Sequence, residues 1–502
     1  MLLWLFMAAG CGGDSTPPPD ASANAPGTDE ATGEEVANEQ VAAEGEAGIN
    51  TDRGADKPAE RTFPFPAPPA QDDKDVAESS KAPQRPTATK LSGAELAEHG
   101  LKRIESKHLS LITDVPVTAA IKELPIVFDR AVAPWCEYFQ IDPAKLKDWQ
   151  VTAYLMRDNT TFKELGLLPN HLPPFENGYA MARRLWLYEQ KSDYYRRHLL
   201  LHEGTHSFMY QVFGTCGPSW YMEGMAELLA THRWQDNELK LGYFPKDRRE
   251  VPLLGRIRMV QDEVAADRVQ SLRAIMAYDG RSYLKKVPYG WSWAVCAFLD
   301  GHPKYQQRFH QLHKHLDPTE VDSDLTTEFR QAMDSDWQEL NDEWRLFADS
   351  LEHNHDLVQT AIDFRPGKPL AESGRRVEIS ADRGWQSSGV HVEAGQTYRI
   401  AARGRYQIAQ HPEQWTSEPG GVTIRYYRGQ PLGILLASVR TDVQADAPAS
   451  SDEGVTNFSP QPIGLETTWT PSTNGTLYLR INDSPAELDD NDGTLTVTID
   501  RL

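Results

Sequence analysis

Tyr194-Tyr195-Arg196-Arg197-His198-Leu199-Leu200-Leu201-His202-Glu203-Gly204-Thr205-His206-Ser207-Phe208-Met209-Tyr210-Gln211-Val212-Phe213 is the stretch on which the fold turns. Apart from Gly204 it holds no Gly or Pro, its apolar residues recur at helical spacing, and Gly214 follows as a stop. It therefore predicts one buried helix. Within it, His202 and His206 stand four residues apart, which stacks two imidazoles on one helix face where a single metal ion can meet both. Glu203, one residue past the first imidazole, is turned toward the open position of such an ion and can act as a general base on water there. Gly204 costs the helix about 1 kcal/mol of propensity, which close packing beside a site explains better than helix design.

A catalytic zinc needs a third protein ligand, and Pro218-Ser219-Trp220-Tyr221-Met222-Glu223-Gly224-Met225-Ala226-Glu227 offers two acids. Glu223 is the choice for ligand. Glu227, one turn further along the same face, suits a carboxylate that orients a ligand histidine, and the two roles could be exchanged. The competing reading is a helix with two solvated acids. H-E-x-x-H followed by W-x-x-E-G-x-A-E resembles the gluzincin branch of zinc metallopeptidases, in particular the peptidase MA-like proteins. In that pattern the glutamate before the glycine binds the metal. The resemblance implies amide hydrolysis in which zinc acidifies its water to a pKa of about 7 and polarises the scissile carbonyl, while Glu203 takes and relays the proton. It also implies a Tyr or His from a later helix as oxyanion donor. The segment Val287-Pro288-Tyr289-Gly290-Trp291-Ser292-Trp293 makes Tyr289 the candidate, with Tyr283 and Tyr221 as weaker alternatives. His198 reads as a packed helix histidine rather than a fourth ligand.

Upstream, Leu109-Ser110-Leu111-Ile112-Thr113 and Val151-Thr152-Ala153-Tyr154-Leu155-Met156 have strand composition. Between them Val117 to Phe139 reads as a long amphipathic helix, interrupted or bent at Pro125 and Pro134. This order, with later helices around Tyr305–His310 and Trp337–Leu351, resembles an α+β zincin-like domain, expected over residues 91–365.

From Val377 onward the pattern changes. Short alternating runs such as Gly389–Val392, Thr397–Ala402, Val422–Tyr427, Thr476–Ile481 and Thr494–Ile499 recur between Gly, Asn, Asp and Pro turns, which predicts an all-β sandwich over residues 376–502. Its loop Asn482-Asp483-Ser484-Pro485-Ala486-Glu487-Leu488-Asp489-Asp490-Asn491-Asp492-Gly493 is rich in the oxygens that calcium requires; the alternative is an acidic turn that keeps a sheet edge soluble. Gly475–Asp483, the Asp490-Asn491 pair and Gln430-Pro431-Leu432-Gly433 resemble the calcium-dependent galactose lectin of the PA-IL type. That resemblance implies a Ca²⁺ site from the side chains of Asp483, Asp490 and Asn491 with backbone oxygens of Tyr406 and Glu487. Where the lectin grips sugar with a His-Pro-x-Gln segment, this chain is expected to have Ser417-Glu418-Pro419-Gly420-Gly421. Calcium is thereby favoured over galactose, and the domain is expected to be a structural or substrate-docking module.

Composition fits export. Met1-Leu2-Leu3-Trp4-Leu5-Phe6-Met7-Ala8-Ala9-Gly10-Cys11 resembles a bacterial lipoprotein signal (1–11) with Cys11 as the lipidated residue. Its missing basic n-region leaves open a start further upstream or an ordinary signal peptide. Residues 12–90, rich in Pro, Ala, Gly, Ser, Thr and acids, are too poor in large apolar groups to fold and read as a tether. No further apolar run is long enough to span a bilayer. The formal net charge of -22 argues against nucleic acid or anionic membrane surfaces as partners. Cys136, Cys216 and Cys296 form no C-x-x-C pair, so a cysteine-rich zinc site is not expected. The expectation is a cell-envelope zinc peptidase acting on peptides or proteins, with a calcium-binding, glycan- or substrate-docking domain. Its rivals are a non-catalytic adhesion protein that keeps the peptidase domain as scaffold, and a zinc hydrolase of some envelope polymer.

Overall fold

Parallel strands buried on both faces read as continuous apolar runs, and two such runs found in the sequence form the centre of the first sheet. The computed structural model describes residues 91–319, 323–442 and 458–502, so the segment ending at Cys11 and the tether at 12–90 lie outside the described residues. In the first sheet, β1 (Lys102–Glu105), β2 (Leu109–Thr113), β3 (Val151–Met156), β4 (Gly178–Met181) and β5 (Arg184–Tyr188) stand in the order β1-β2-β3-β5-β4. β2, β3 and β5 are parallel, whereas β1 and β4 pair antiparallel at the two edges. Helix α1 (Ala119–Tyr138) follows β2 and carries both Pro125 and Pro134 within one continuous helix, capped by the Thr118 side chain. No interruption is needed.

Helix α2 (Asp193–Phe213) is capped by Ser192 and ends at Gly214 in the left-handed conformation (φ 77°), the usual glycine stop. Helix α3 (Ser219–Ala230) follows after a short turn. Two glycines set how closely these helices are approached. A Cβ on Gly204 would lie 2.8 Å from Phe128 Cε2 and 2.9 Å from Trp135 Cη2, so α1 packs directly on the His202–His206 stretch of α2. A Cβ on Gly224 would collide with Cys296 Sγ and lie 2.7 Å from Ser292 O, both on α5 (Val287–Gly301), which brings that helix against α3. Helix α4 (Arg256–Ala265) packs on α5, and α6 (Trp337–Ser350) covers the far side. The core shared by these elements is dominated by Trp135, Trp149, Trp220, Trp291, Trp293, Phe128 and Phe208. Truncating such a ring costs about 3–5 kcal/mol, so these rings contribute much of the stability of the scaffold beneath the pentad.

The C-terminal strands make two further sheets, of six and four strands. One runs β12 (Gly420–Tyr427), β13 (Gln430–Thr441), β16 (Gly475–Ile481), β8 (Gln386–Val392) and β6 (Lys368–Pro369), with β14 (Gln461–Pro462) beside β13; the other runs β15 (Glu466–Trp469), β9 (Tyr398–Arg403), β17 (Thr494–Arg501) and β7 (Arg375–Ser380). Apolar residues of both sheets, among them Val390, Ile400, Leu435, Leu479 and Val497, share one cluster. A hairpin of β10 (Tyr406–Ala409) and β11 (Trp415–Ser417) stands apart. Lys368–Pro369, between the two expected domains, pairs parallel with β8 rather than serving as a free linker.

The described residues belong to one compact unit. The seam inside it is lined by Ile362, Trp385, Leu436, Phe458 and Tyr478, packed by Leu346 and Phe364. The buried carboxylate of Asp342 accepts from Arg440 Nε at 2.8 Å across it. Asn354 Nδ2 donates to Ala486 O at 2.7 Å, Asp356 N to Pro485 O at 2.9 Å, and Ser484 Oγ to Glu352 Oε1 at 2.6 Å. Among the described residues no helix is long and apolar enough to cross a membrane.

Candidate metal centre

Helical spacing delivers what the pentad promises geometrically. The Nε2 atoms of His202 and His206 are 3.2 Å apart, with the ring planes at 87°. Glu223 reaches over from α3, its Oε2 lying 3.2 Å from His202 Nε2 and 3.5 Å from His206 Nε2. The ligand atoms of the three residues lie within 4.8 Å of one another. Glu223 Oε2 and His206 Nδ1 are buried and make no hydrogen bond. Buried polar atoms are nearly always satisfied, so an orphaned carboxylate oxygen between two imidazoles fits a divalent cation held by nitrogen and oxygen. Burial alone would disfavour every charge here, yet Glu223 and Glu227 outweigh it at His202 and raise its pKa to about 9. Burial is likewise overcome at Glu223, which His206 and His202 hold down at about 2.

Glu227 sits behind this cluster. Its Oε1 is 3.3 Å from His202 Nδ1, so the two glutamates face opposite nitrogens of one ring. Its Oε2 is 3.1 Å from His198 Nε2, and His198 Nδ1 is 3.0 Å from the carbonyl oxygen of Ala230. Arg256 donates to both Glu227 oxygens, at 2.6 and 2.8 Å. His198, His202 and Glu227 form a second group whose ligand atoms are within 4.8 Å.

Glu203 is buried, and loss of hydration pushes its carboxyl pKa up against the pull of His202 and His206. A Cβ on Gly178 would lie 2.5 Å from Glu203 Oε1, so the edge strand β4 runs directly past the proposed base. Among the described residues β4 pairs with β5 on one side only. Tyr289, in the first turn of α5, has its ring 6.2 Å from that of His202, and the Arg256 guanidinium lies 5.6 Å from its centroid. Burial raises its phenol pKa. The Tyr283 hydroxyl is paired with Ser292 Oγ at 2.6 Å, and Tyr221 is packed against Trp220 and Phe309. Arg256 and Gly178 carry no motif in the sequence; only the fold brings them to the centre.

In the C-terminal loop, Asp483 Oδ2 accepts from Asn491 Nδ2 at 2.9 Å and Oδ1 accepts from Ser484 N at 2.7 Å. Asp490 Oδ1 and Asn491 Oδ1 are buried without a hydrogen-bond partner. Gln407, next to Tyr406, bridges to Asp492, which brings the start of β10 beside the loop. The Glu487 carboxylate is turned away to Arg425, at 2.6 and 2.8 Å, which leaves only its backbone for the loop. Among the described residues the groups of three close His, Cys, Asp or Glu ligands do not include these acids. Contrary to the expectation that Ser417–Gly421 replaces the sugar-gripping segment, the chain carries His411-Pro412-Glu413-Gln414, exposed in the turn between β10 and β11. Ser417–Gly421 instead ends β11 and enters β12. Gln414 Nε2 donates to Gln407 Oε1 at 2.6 Å, which ties the segment to the strand next to the loop.

No protein-family model and no curated protein matches the chain. Among solved structures, the N-terminal domain of EclA, described as a PllA-like lectin, aligns with 26% of this chain and 96% of its own at 21% identity and a TM-score of 0.19. An aminopeptidase N family protein from Idiomarina loihiensis aligns with 79% of this chain and 68% of its own at 11% identity and a TM-score of 0.31. At such scores neither likeness carries weight beside the side-chain geometry.

Proposed function

We propose that residues 91–365 are a gluzincin-type, zincin-like zinc peptidase and residues 376–502 a lectin-like sandwich that binds Ca²⁺ and docks glycan or substrate. The observation that carries the first half is the meeting of His202 Nε2, His206 Nε2 and Glu223 Oε2, a buried oxygen that makes no hydrogen bond, within 3.2–3.5 Å of one another. Zinc held there supplies a Lewis acid that polarises the scissile carbonyl and brings the acidity of water close to neutral pH. Glu203 accepts the proton of the attacking water and delivers it to the leaving nitrogen, a task suited to a carboxyl whose pKa burial has raised. Tyr289 donates a hydrogen bond to the oxygen on which charge develops. Glu227 holds His202 through Nδ1 and so fixes which nitrogen faces the cation. The edge of β4 beside Glu203, which no described strand pairs, suits an extended peptide added as a further strand, which favours peptides over other polymers as substrate.

For the second half, the support is the pair of orphaned oxygens on Asp490 and Asn491 next to Asp483 and β10. The His411–Gln414 segment adds a sugar-contacting candidate. A cell-envelope location with a lipid anchor at Cys11 rests on the sequence of residues 1–11 alone.

Peptide cleavage and zinc content, measured in wild type and Glu203→Gln, test the catalytic reading. The substitution should keep zinc and lower kcat by about 10²–10⁴. A zinc-loaded wild type no more active than the variant would favour the scaffold reading. Calorimetric titration with Ca²⁺, then with galactosides, tests the sandwich; heat with calcium that vanishes in Asp483→Asn is expected.

A further inference from the structure

Arg256 opens helix α4, outside every motif, and its side chain is 10% exposed where it meets Glu227, itself 2% exposed. The contact is a fork, Nε to Oε2 at 2.8 Å and Nη2 to Oε1 at 2.6 Å. That same carboxylate faces His202 Nδ1 at 3.3 Å and His198 Nε2 at 3.1 Å. A two-pronged arginine fixes the plane of a carboxylate as well as its place, which a lysine ammonium cannot do. Without the fork, Glu227 could rotate toward His198 and release His202.

We propose, resting on the zinc-peptidase reading above, that Arg256 is a positioning residue of the metal centre. It orients Glu227 so that Oε1 accepts from His202 Nδ1–H, which leaves His202 Nε2 as an electron-pair donor beside His206 and Glu223. The guanidinium also lies over the Tyr289 ring, so the same cation borders the proposed oxyanion donor. Arg256 touches neither zinc nor substrate; it acts through Glu227.

The test uses the full chain with Arg256→Lys, Glu227→Gln and the double variant. Zinc affinity is read by competition with a chromophoric chelator, and geometry by the visible spectrum of the Co²⁺-loaded protein. Arg256→Lys should keep the fold, weaken zinc about ten- to a hundred-fold and alter the cobalt spectrum, with kcat reduced and KM unchanged. In the Glu227→Gln background the same change should add no further loss, because the route through that carboxylate is already cut. If Arg256→Lys unfolds, Arg256→Gln, which keeps one donor toward Glu227, carries the same comparison. Wild-type zinc affinity in Arg256→Lys, or an equal loss in both backgrounds, overturns the positioning role alone. A wild type that holds zinc no better than His202→Ala overturns the zinc reading and this proposal with it.

Discussion

At the scale of residues, the account turns on one imidazole. His202 has a carboxylate at each nitrogen, Glu223 at Nε2 and Glu227 at Nδ1, so the two acids should fail differently. Glu223→Gln should abolish stoichiometric zinc, whereas Glu227→Gln should retain it with affinity lowered about 10- to 100-fold. Equal behaviour in zinc titrations would contradict the assignment. Tyr289→Phe should keep zinc and lose about 10²–10³ in kcat with KM little changed, as removal of a single oxyanion donor does. The histidines and both glutamates were legible because their spacing is helical and helices keep their periodicity wherever they pack. The choice between the glutamates was not, because it depends on how α3 is rotated against α2. Arg256 was invisible for the same reason, being joined to Glu227 only by the packing of α4.

Elements show where close approach replaces propensity. Gly204→Ala would improve helix propensity by about 1 kcal/mol, yet its methyl group would meet Phe128 and Trp135 inside a packed core, where overpacking costs about 1–3 kcal/mol. The variant should be destabilised in urea unfolding; a rise in stability would show that α1 does not lie on the pentad. Gly178→Ala tests β4 in the same way. Its Cβ would press on Glu203 Oε1, so peptidase activity should fall sharply while zinc content stays at wild-type level. β2 and β3 were readable from apolar runs, and α2 from its period and its glycine stop. β4 was not: its four residues are all partly exposed, with neither alternation nor a buried run to mark it. α1 shows the limit of proline as a breaker, since packing carries the helix through both Pro125 and Pro134.

Across the whole molecule, the loop proposed for calcium is also the loop that meets the helical part at Glu352, Asn354 and Asp356, through Ser484, Pro485 and Ala486. Burial pushes the Asp483 carboxyl up to about 7, with Asn491 and Ser484 pulling it down. The folded state thus holds this proton more tightly than the unfolded chain does, where the pKa is about 3.9. The stability it contributes is full below about pH 4 and is lost as pH rises through 7. Calcium requires the carboxylate, so the rise in melting temperature that it causes should be small at pH 5.5 and larger at pH 8; an increment independent of pH would contradict a role for Asp483. The strand-rich half was legible from alternation and turns, whereas the seam was not, because Asp342 and Arg440 come together only when the two halves pack.

The most direct test of the central claim is diffraction from crystals of the zinc-soaked protein above and below the zinc absorption edge. A single anomalous peak is predicted within about 2.0–2.2 Å of His202 Nε2, His206 Nε2 and a Glu223 oxygen. No peak there, or one at Nδ1 of His202 beside Glu227, would contradict it.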